Sequence, residues 1–181
     1  MTIRLETLQE MRTFAETLAG YLQAGDLIIL SGNLGAGKTT FTQSLGRALG
    51  VRGRITSPTF VIAREHPSLG DGPALVHVDA YRLSDAEELG DLDLDSELEE
   101  SITVVEWGAG LAERLSSDYL EISITPILDD VVESGDDEDA DDEEDDEDER
   151  RLIELDGHGS TWEDRLDAVR AAVLESQEDH Q

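Results

Sequence analysis

Leu27-Ile28-Ile29-Leu30-Ser31-Gly32-Asn33-Leu34-Gly35-Ala36-Gly37-Lys38-Thr39-Thr40-Phe41 is the stretch whose reading decides the fold. Four consecutive apolar residues, Leu27 to Leu30, read as a strand buried on both faces. A glycine-rich turn follows, and the spacing from Thr40 to Leu49 predicts a helix. Gly32 to Thr39 match G-x-x-x-x-G-K-[ST] in full, in the strand–turn–helix setting that gives this motif its meaning. Gly35 and Gly37 let the backbone curl until successive N–H groups face one anion, and the start of the helix adds its dipole. Lys38 brings a point charge to the β- and γ-phosphates of a nucleotide, and the Thr39 hydroxyl is placed to coordinate Mg²⁺. Gly35, Ala36, Gly37, Lys38, Thr39 and Thr40 therefore form the candidate phosphate cradle for a nucleotide, with Mg²⁺ as cofactor. Lys38 is also the only lysine in the chain, the other twelve basic residues being arginine. A sequence that otherwise avoids lysine has one where the motif requires it.

Two further strands end in carboxylates. Leu75-Val76-His77-Val78-Asp79 and Ile102-Thr103-Val104-Val105-Glu106 are apolar runs, the second followed by Trp107 and Gly108. Ligands of open α/β sheets sit at the carboxyl ends of the strands. An acid there can hold Mg²⁺ directly or through water, which leaves Asp79 and Glu106 as two candidates for one role.

The other elements follow from periodicity and punctuation. Leu8, Met11, Phe14, Ala15, Leu18, Ala19 and Leu22 are spaced as one face of a helix over 7–23, and Gly25-Asp26 ends that segment. Ile55 to Ile62 predicts a loop leading into a strand. Its Thr56, Ser57 and Thr59 hydroxyls beside Pro58 suit either a loop that senses a γ-phosphate or an ordinary turn. His66 to Pro73 reads as a hairpin loop, and Ser84 to Glu87 has the S-x-x-E pattern of a helix start. Tyr119 to Thr125 alternates as a half-exposed strand that Arg151 to Leu155 can pair with, and 162–174 reads as an amphipathic helix. The expected class is α/β: a P-loop NTPase fold with a mainly parallel central sheet flanked by helices, and an antiparallel hairpin extension towards the C-terminus.

Length and charge set the frame. At 181 residues the chain suits a single domain, 1–181. Without cysteine it has neither disulfides nor thiolate metal ligands. No membrane span or signal-peptide pattern is visible, so the expected location is cytoplasmic. Residues 129–149 hold sixteen of the forty-four acids and no base, so the rest of the chain carries −15 of the net −31. This acidic loop, inserted in the hairpin, has no aromatic residue and reads as disordered; its charge suits repelling RNA, imitating RNA phosphates to a partner, or solubility alone, the last being favoured. No basic patch stands out for nucleic acid, so action on RNA would pass through partners.

Taken together, Gly35-Ala36-Gly37-Lys38-Thr39-Thr40-Phe41, Ser57-Pro58-Thr59-Phe60, His77-Val78-Asp79-Ala80-Tyr81-Arg82-Leu83 and Val105-Glu106-Trp107 resemble the TsaE (YjeE) family. The resemblance covers about residues 5 to 125 and the strand and helix after the acidic loop. It implies a bacterial P-loop ATPase of tRNA threonylcarbamoyladenosine biosynthesis, slow alone and dependent on the partners TsaB and TsaD. In that system TsaD modifies the adenosine 3′ of the anticodon in tRNAs reading codons that begin with A, and tRNA is met only through the complex. By position, the resemblance makes Thr39 and Glu106 the magnesium residues and Asp79 a residue needed for hydrolysis. It puts Trp107 beside the nucleotide and aligns Thr13, in the first helix, with an adenine-side contact. Lys38, Asp79 and Glu106 are thus the expected catalytic set. After the tryptophan the family often carries proline and a polar or acidic residue, whereas Gly108-Ala109 follow here.

Rival classes leave their own marks. A GTPase needs an N/T-K-x-D element, which a chain with lysine only at position 38 cannot contain. No LSGGQ-like stretch marks an ABC-type ATPase. A small-molecule or nucleotide kinase would need an arginine-bearing lid, for which Arg52, Arg54 and Arg64 are the nearby arginines. A nucleotide-gated binding module is the non-enzymatic alternative.

Overall fold

The β2 strand (Leu27–Ser31) lies at the middle of the molecule, between β6 (Tyr119–Pro126) and β5 (Ser101–Glu106), and pairs parallel with both. A computed structural model describes residues 1–56, 63–83, 85–90, 98–127 and 149–178. Its single sheet has seven strands in the order β1-β7-β6-β2-β5-β4-β3, where β1 is Thr2–Leu5, β3 Ala63–His66, β4 Ala74–Asp79 and β7 Arg151–His158.

The expectation of a mainly parallel sheet is corrected. Parallel pairing is confined to the block β6-β2-β5-β4, and the pairs β1–β7, β7–β6 and β3–β4 are antiparallel, so the six pairings divide equally. At one edge the short β3–β4 connection can only return the strand antiparallel; at the other, β6 and β7 are joined through the long segment that carries the acidic run, and β1 reaches β7 from the opposite end of the sequence. The expected C-terminal hairpin is β6–β7, and its register runs from Tyr119 opposite His158 to Pro126 opposite Arg151.

Within the parallel block β2, β4 and β5 are buried on both faces, as their apolar runs require, whereas β6 alternates and buries one face. Along β2 the side chains alternate: Ile28 and Leu30 join a core with Phe14, Phe41, Leu45, Ile122 and Val169, while Leu27 and Ile29 join a second with Val76, Val78, Val105 and Ala112. The first core is covered by α1 (Leu8–Ala19), α2 (Lys38–Ala48) and α4 (Ser160–Glu178). Phe14 of α1 meets Phe41 of α2 with ring centroids 5.7 Å apart.

Side chains close the helix ends. Thr7 Oγ1 accepts the Glu10 N–H at 3.1 Å, and Glu149 accepts the N–H of Leu8 at 3.0 Å. The short α3 (Ala86–Gly90) is capped by Asp85, whose Oδ1 accepts the Glu87 and Glu88 N–H groups at 3.0 Å each. Ser84, the expected cap, lies outside the described residues, as do the Ser57–Ile62 segment and residues 129–148 of the acidic loop.

Arg165 anchors α4 to the turn before β2. Its Nη1 and Nη2 donate to the two oxygens of buried Asp26 at 2.6 and 2.9 Å, Nη1 also donates to Tyr21 O at 3.1 Å, and the guanidinium lies 4.1 Å from the Trp162 ring centroid. Among the described residues, no helix is long and apolar enough to cross a membrane.

Candidate functional site

The site lies where β2, β4 and β5 end beside the start of α2. Asp79 is in register with Glu106, and Glu106 with Leu30, so these side chains leave the same face of the sheet; His77, two residues before Asp79, joins them. The chain after β2 must turn at once onto that face. Gly32 makes the turn at φ 145°, where a Cβ would stand 2.4 Å from the Ile124 carbonyl oxygen of β6. Gly37 then enters α2 as its N-cap at φ 105°, a left-handed conformation that side chains disfavour.

Lys38, the first residue of α2, is buried and folds back over this loop. Its Nζ donates to Gly32 O at 2.8 Å and Asn33 O at 3.0 Å, and stands 3.9 Å from the centroid of the Trp107 ring. Burial lowers the pKa of the ammonium, and the charges of Glu106 and Asp79 oppose that shift. Thr39 Oγ1 donates to Glu106 Oε1 at 3.3 Å. The same oxygen meets His77 Nε2 at 2.8 Å, and both of those side chains are buried. A buried carboxylate and a hydroxyl side by side are an all-oxygen donor pair of the kind Mg²⁺ takes. Asp79 sits at the rim, half-buried, its Oδ1 accepting the Tyr81 N–H at 3.0 Å.

Trp107 has φ 61°, the one non-glycine residue at positive φ among those described. For a bulky aromatic side chain that is a strained conformation, of the kind that persists where the surroundings impose it. The imposition is visible: the Trp107 N–H continues the ladder to Leu30 O at 3.0 Å, and the ring lies against Tyr81, centroids 5.2 Å apart. Gly108 follows because a Cβ there would stand 2.8 Å from Val105 Cγ1, as the chain turns towards the 3₁₀ turn Ala112–Arg114.

The family profile of the Threonylcarbamoyl adenosine biosynthesis protein TsaE matches residues 5–130. The chain belongs to the TsaE family. It is 60% identical over 124 residues to the tRNA threonylcarbamoyladenosine biosynthesis protein TsaE of Streptomyces coelicolor, an alignment covering 68% of this chain and 84% of that one. The protein of the same name from Mycobacterium bovis is 48% identical over 130 residues, covering 68% and 77%. Among solved structures, Bacillus subtilis YdiB superposes with a TM-score of 0.69 at 25% identity, over 94% of each chain.

Within this TsaE-family chain the structure brings Lys38, Thr39, Glu106 and Trp107 into direct contact, with Asp79 one strand away from Glu106. Gly35, Ala36 and Gly37 form the loop beneath Lys38, and Thr40 lies in the first turn of α2, its carbonyl accepting Ser44 Oγ at 3.0 Å. Thr13 is half-buried on α1, one position before Phe14; none of the contacts that join Lys38, Thr39 and Glu106 passes through it. Two residues with no predicted role touch the site. His77 was visible in sequence as the third residue of an apolar strand and the first of a stretch that carries the family resemblance, but with no role attached. Arg151 of β7 donates from Nε to Ala36 O at 2.9 Å, and only the pairing of the C-terminal hairpin could have placed it there.

Proposed function

We propose that this chain is the Mg-ATP-binding and hydrolysing subunit of tRNA threonylcarbamoyladenosine formation, built on a P-loop NTPase fold, acting in the cytoplasm with TsaB and TsaD and meeting tRNA only through that complex. One observation carries the proposal: Lys38 and Thr39 at the start of α2 converge with Glu106 at the end of the neighbouring parallel strand. The curated relatives, named for this biosynthesis, supply the process.

On this reading the backbone N–H groups of the Gly35–Thr39 loop bind the phosphates, and Lys38 exchanges the Gly32 and Asn33 carbonyls for phosphate oxygens. Thr39 and Glu106 would hold Mg²⁺, which when bound neutralises charge on the β- and γ-phosphates. His77 fixes the Glu106 carboxylate from behind. Asp79, at the rim, orients the attacking water. Trp107 and Tyr81 wall the mouth of the site, and Thr13 faces the adenine side.

The test is phosphate release, with and without purified TsaB and TsaD, alongside tRNA modification by the complete set. The expected result is slow hydrolysis alone, faster hydrolysis with partners, and modification that fails with Lys38→Ala. Phosphate transfer to a small-molecule acceptor would identify a kinase instead, and nucleotide-dependent assembly without turnover would identify a binding module.

A further inference from the structure

We propose that Arg151 is a positioning residue of the phosphate loop, setting the direction of the Gly37 N–H. This rests on the reading of residues 32–39 as a phosphate cradle. Arg151 opens β7, opposite Pro126 of β6, and lies beyond the stretch 5–130 that the family profile matches. Its Nε donates to the Ala36 carbonyl at 2.9 Å, its Nη1 to the Arg150 carbonyl at 2.9 Å, and a Cβ on Gly37 would come within 3.8 Å of Nε. The guanidinium is therefore tethered at one end to the residue before β7 and clasps the loop with the other.

The consequence follows from the geometry of one peptide group. The described chain has no cis peptide, so the Ala36 C=O and the Gly37 N–H, which share a plane, point in opposite directions. A donor that holds the carbonyl outward holds the N–H inward, towards the cradle. The loop needs such a clasp. That plane turns about ψ of Ala36 and φ of Gly37, and Gly37, at φ 105°, resists the rotation less than any residue with a side chain would. Ala36 N donates to Asn33 O at 3.1 Å and Phe41 N to Gly37 O at 2.8 Å, which secure the loop on either side of the rotatable plane but not the plane itself. Arg151 does that from a different part of the chain.

Two substitutions separate this role from a contribution of charge. Gln carries its amide nitrogen as many bonds from Cβ as Arg carries Nε, so Arg151→Gln keeps the donor and removes the charge. Arg151→Met keeps the shape and removes both. The experiment titrates wild type and both variants with Mg-ADP, by calorimetry and by ¹⁵N-glycine spectra in which Gly37 reports the cradle and Gly157 and Gly159 report β7 and the turn after it.

Arg151→Met is expected to lose about ten- to a hundredfold in affinity, the range for a hydrogen bond that orders a charged ligand. The ADP-induced displacement of the Gly37 amide should shrink with it, while Gly157 and Gly159 stay in place. Arg151→Gln should retain most of the affinity and of the Gly37 displacement. Equal affinity in wild type and Arg151→Met overturns the proposal. So does a folded Arg151→Gln as weak as Arg151→Met, which would mean that the guanidinium acts by charge. Should Arg151→Met not fold, Arg151→Gln decides alone: wild-type-like affinity with an inward Gly37 amide upholds the positioning role, and lost affinity ends it. A wild-type protein that does not bind Mg-ADP overturns the cradle reading itself, and this inference with it.

Discussion

Two clusters in this molecule are made of the same three chemical parts and have opposite character. At one end of the sheet Arg165 lies over Trp162 and pairs with buried Asp26; at the other Lys38 lies over Trp107 beside buried Glu106. The first is saturated. Nη1 and Nη2 each reach one carboxylate oxygen, and a backbone carbonyl takes a further bond from Nη1. In the second, Lys38 Nζ is spent on the two loop carbonyls of Gly32 and Asn33, Glu106 is held by His77 and Thr39, and the adjoining tryptophan is strained. Burial lowers the pKa of the Lys38 ammonium, and the charges of Glu106 and Asp79 oppose that shift. A bidentate arginine suits a permanent tie, whereas a lysine is a compact charge that can change partners. The contrast separates a contact that holds the fold from one arranged for something that arrives.

Substitutions can break that contrast. The largest expected effect on function is at Lys38: Lys38→Met should reduce ATP turnover by at least about a hundredfold, since the charge that serves the phosphates is gone. Unfolding by urea should shift by no more than about 1 kcal/mol, because two loop hydrogen bonds are lost but a desolvated charge is also removed. The largest effect on stability should fall at the other cluster. Arg165→Met leaves Asp26 buried without its partner and should cost about 3 kcal/mol in the same urea measurement, with nucleotide affinity per folded molecule unchanged.

Smaller effects sharpen the picture within the site. Glu106→Gln should weaken Mg²⁺-dependent nucleotide affinity about tenfold, whereas Asp79→Asn should reduce turnover with affinity largely kept. Equal effects of both on both quantities would show that the two strand ends do not divide the work. The smallest signal is spectroscopic. Mg-ATP should change Trp107 emission, and Trp107→Phe should remove most of that change, because Trp162 is sealed in the core on the other cluster. A response that survived Trp107→Phe would place the nucleotide elsewhere.

Much of the site was legible because its parts are local in sequence. Gly32 to Thr39 is one contiguous motif, and Asp79 and Glu106 are each the last residue of an apolar run, so strand periodicity alone brings them to one edge. The fold was legible where burial is unambiguous, as in β2 and β5. What escaped depends on pairing between distant segments. β1 is four residues long and is defined only by its partner β7, 150 residues away in sequence at Ile3 and Ile153. Arg151 reads as the start of a strand until that strand, paired to β6, brings it beside Ala36. The positive φ of Trp107 has no signature at all, because it arises from the Leu30 carbonyl and the Tyr81 ring, neither of them near it in sequence. The equal split of parallel and antiparallel pairs was missed for the same reason, since the motif announces a parallel neighbour for β2 but is silent about the edges.

The most direct test of the central claim, that the Lys38 cluster receives a nucleotide while the Arg165 cluster only holds the fold, is the increase in unfolding free energy produced by Mg-ATP. A ligand that binds only the folded state adds about 2.7 kcal/mol at a hundred times its Kd. Wild type and Arg165→Met, the latter from its lower baseline, should both show an increment of that size at that saturation, and Lys38→Met should show almost none at the same nucleotide concentration. An increment that persists in Lys38→Met and disappears in Arg165→Met would contradict the account.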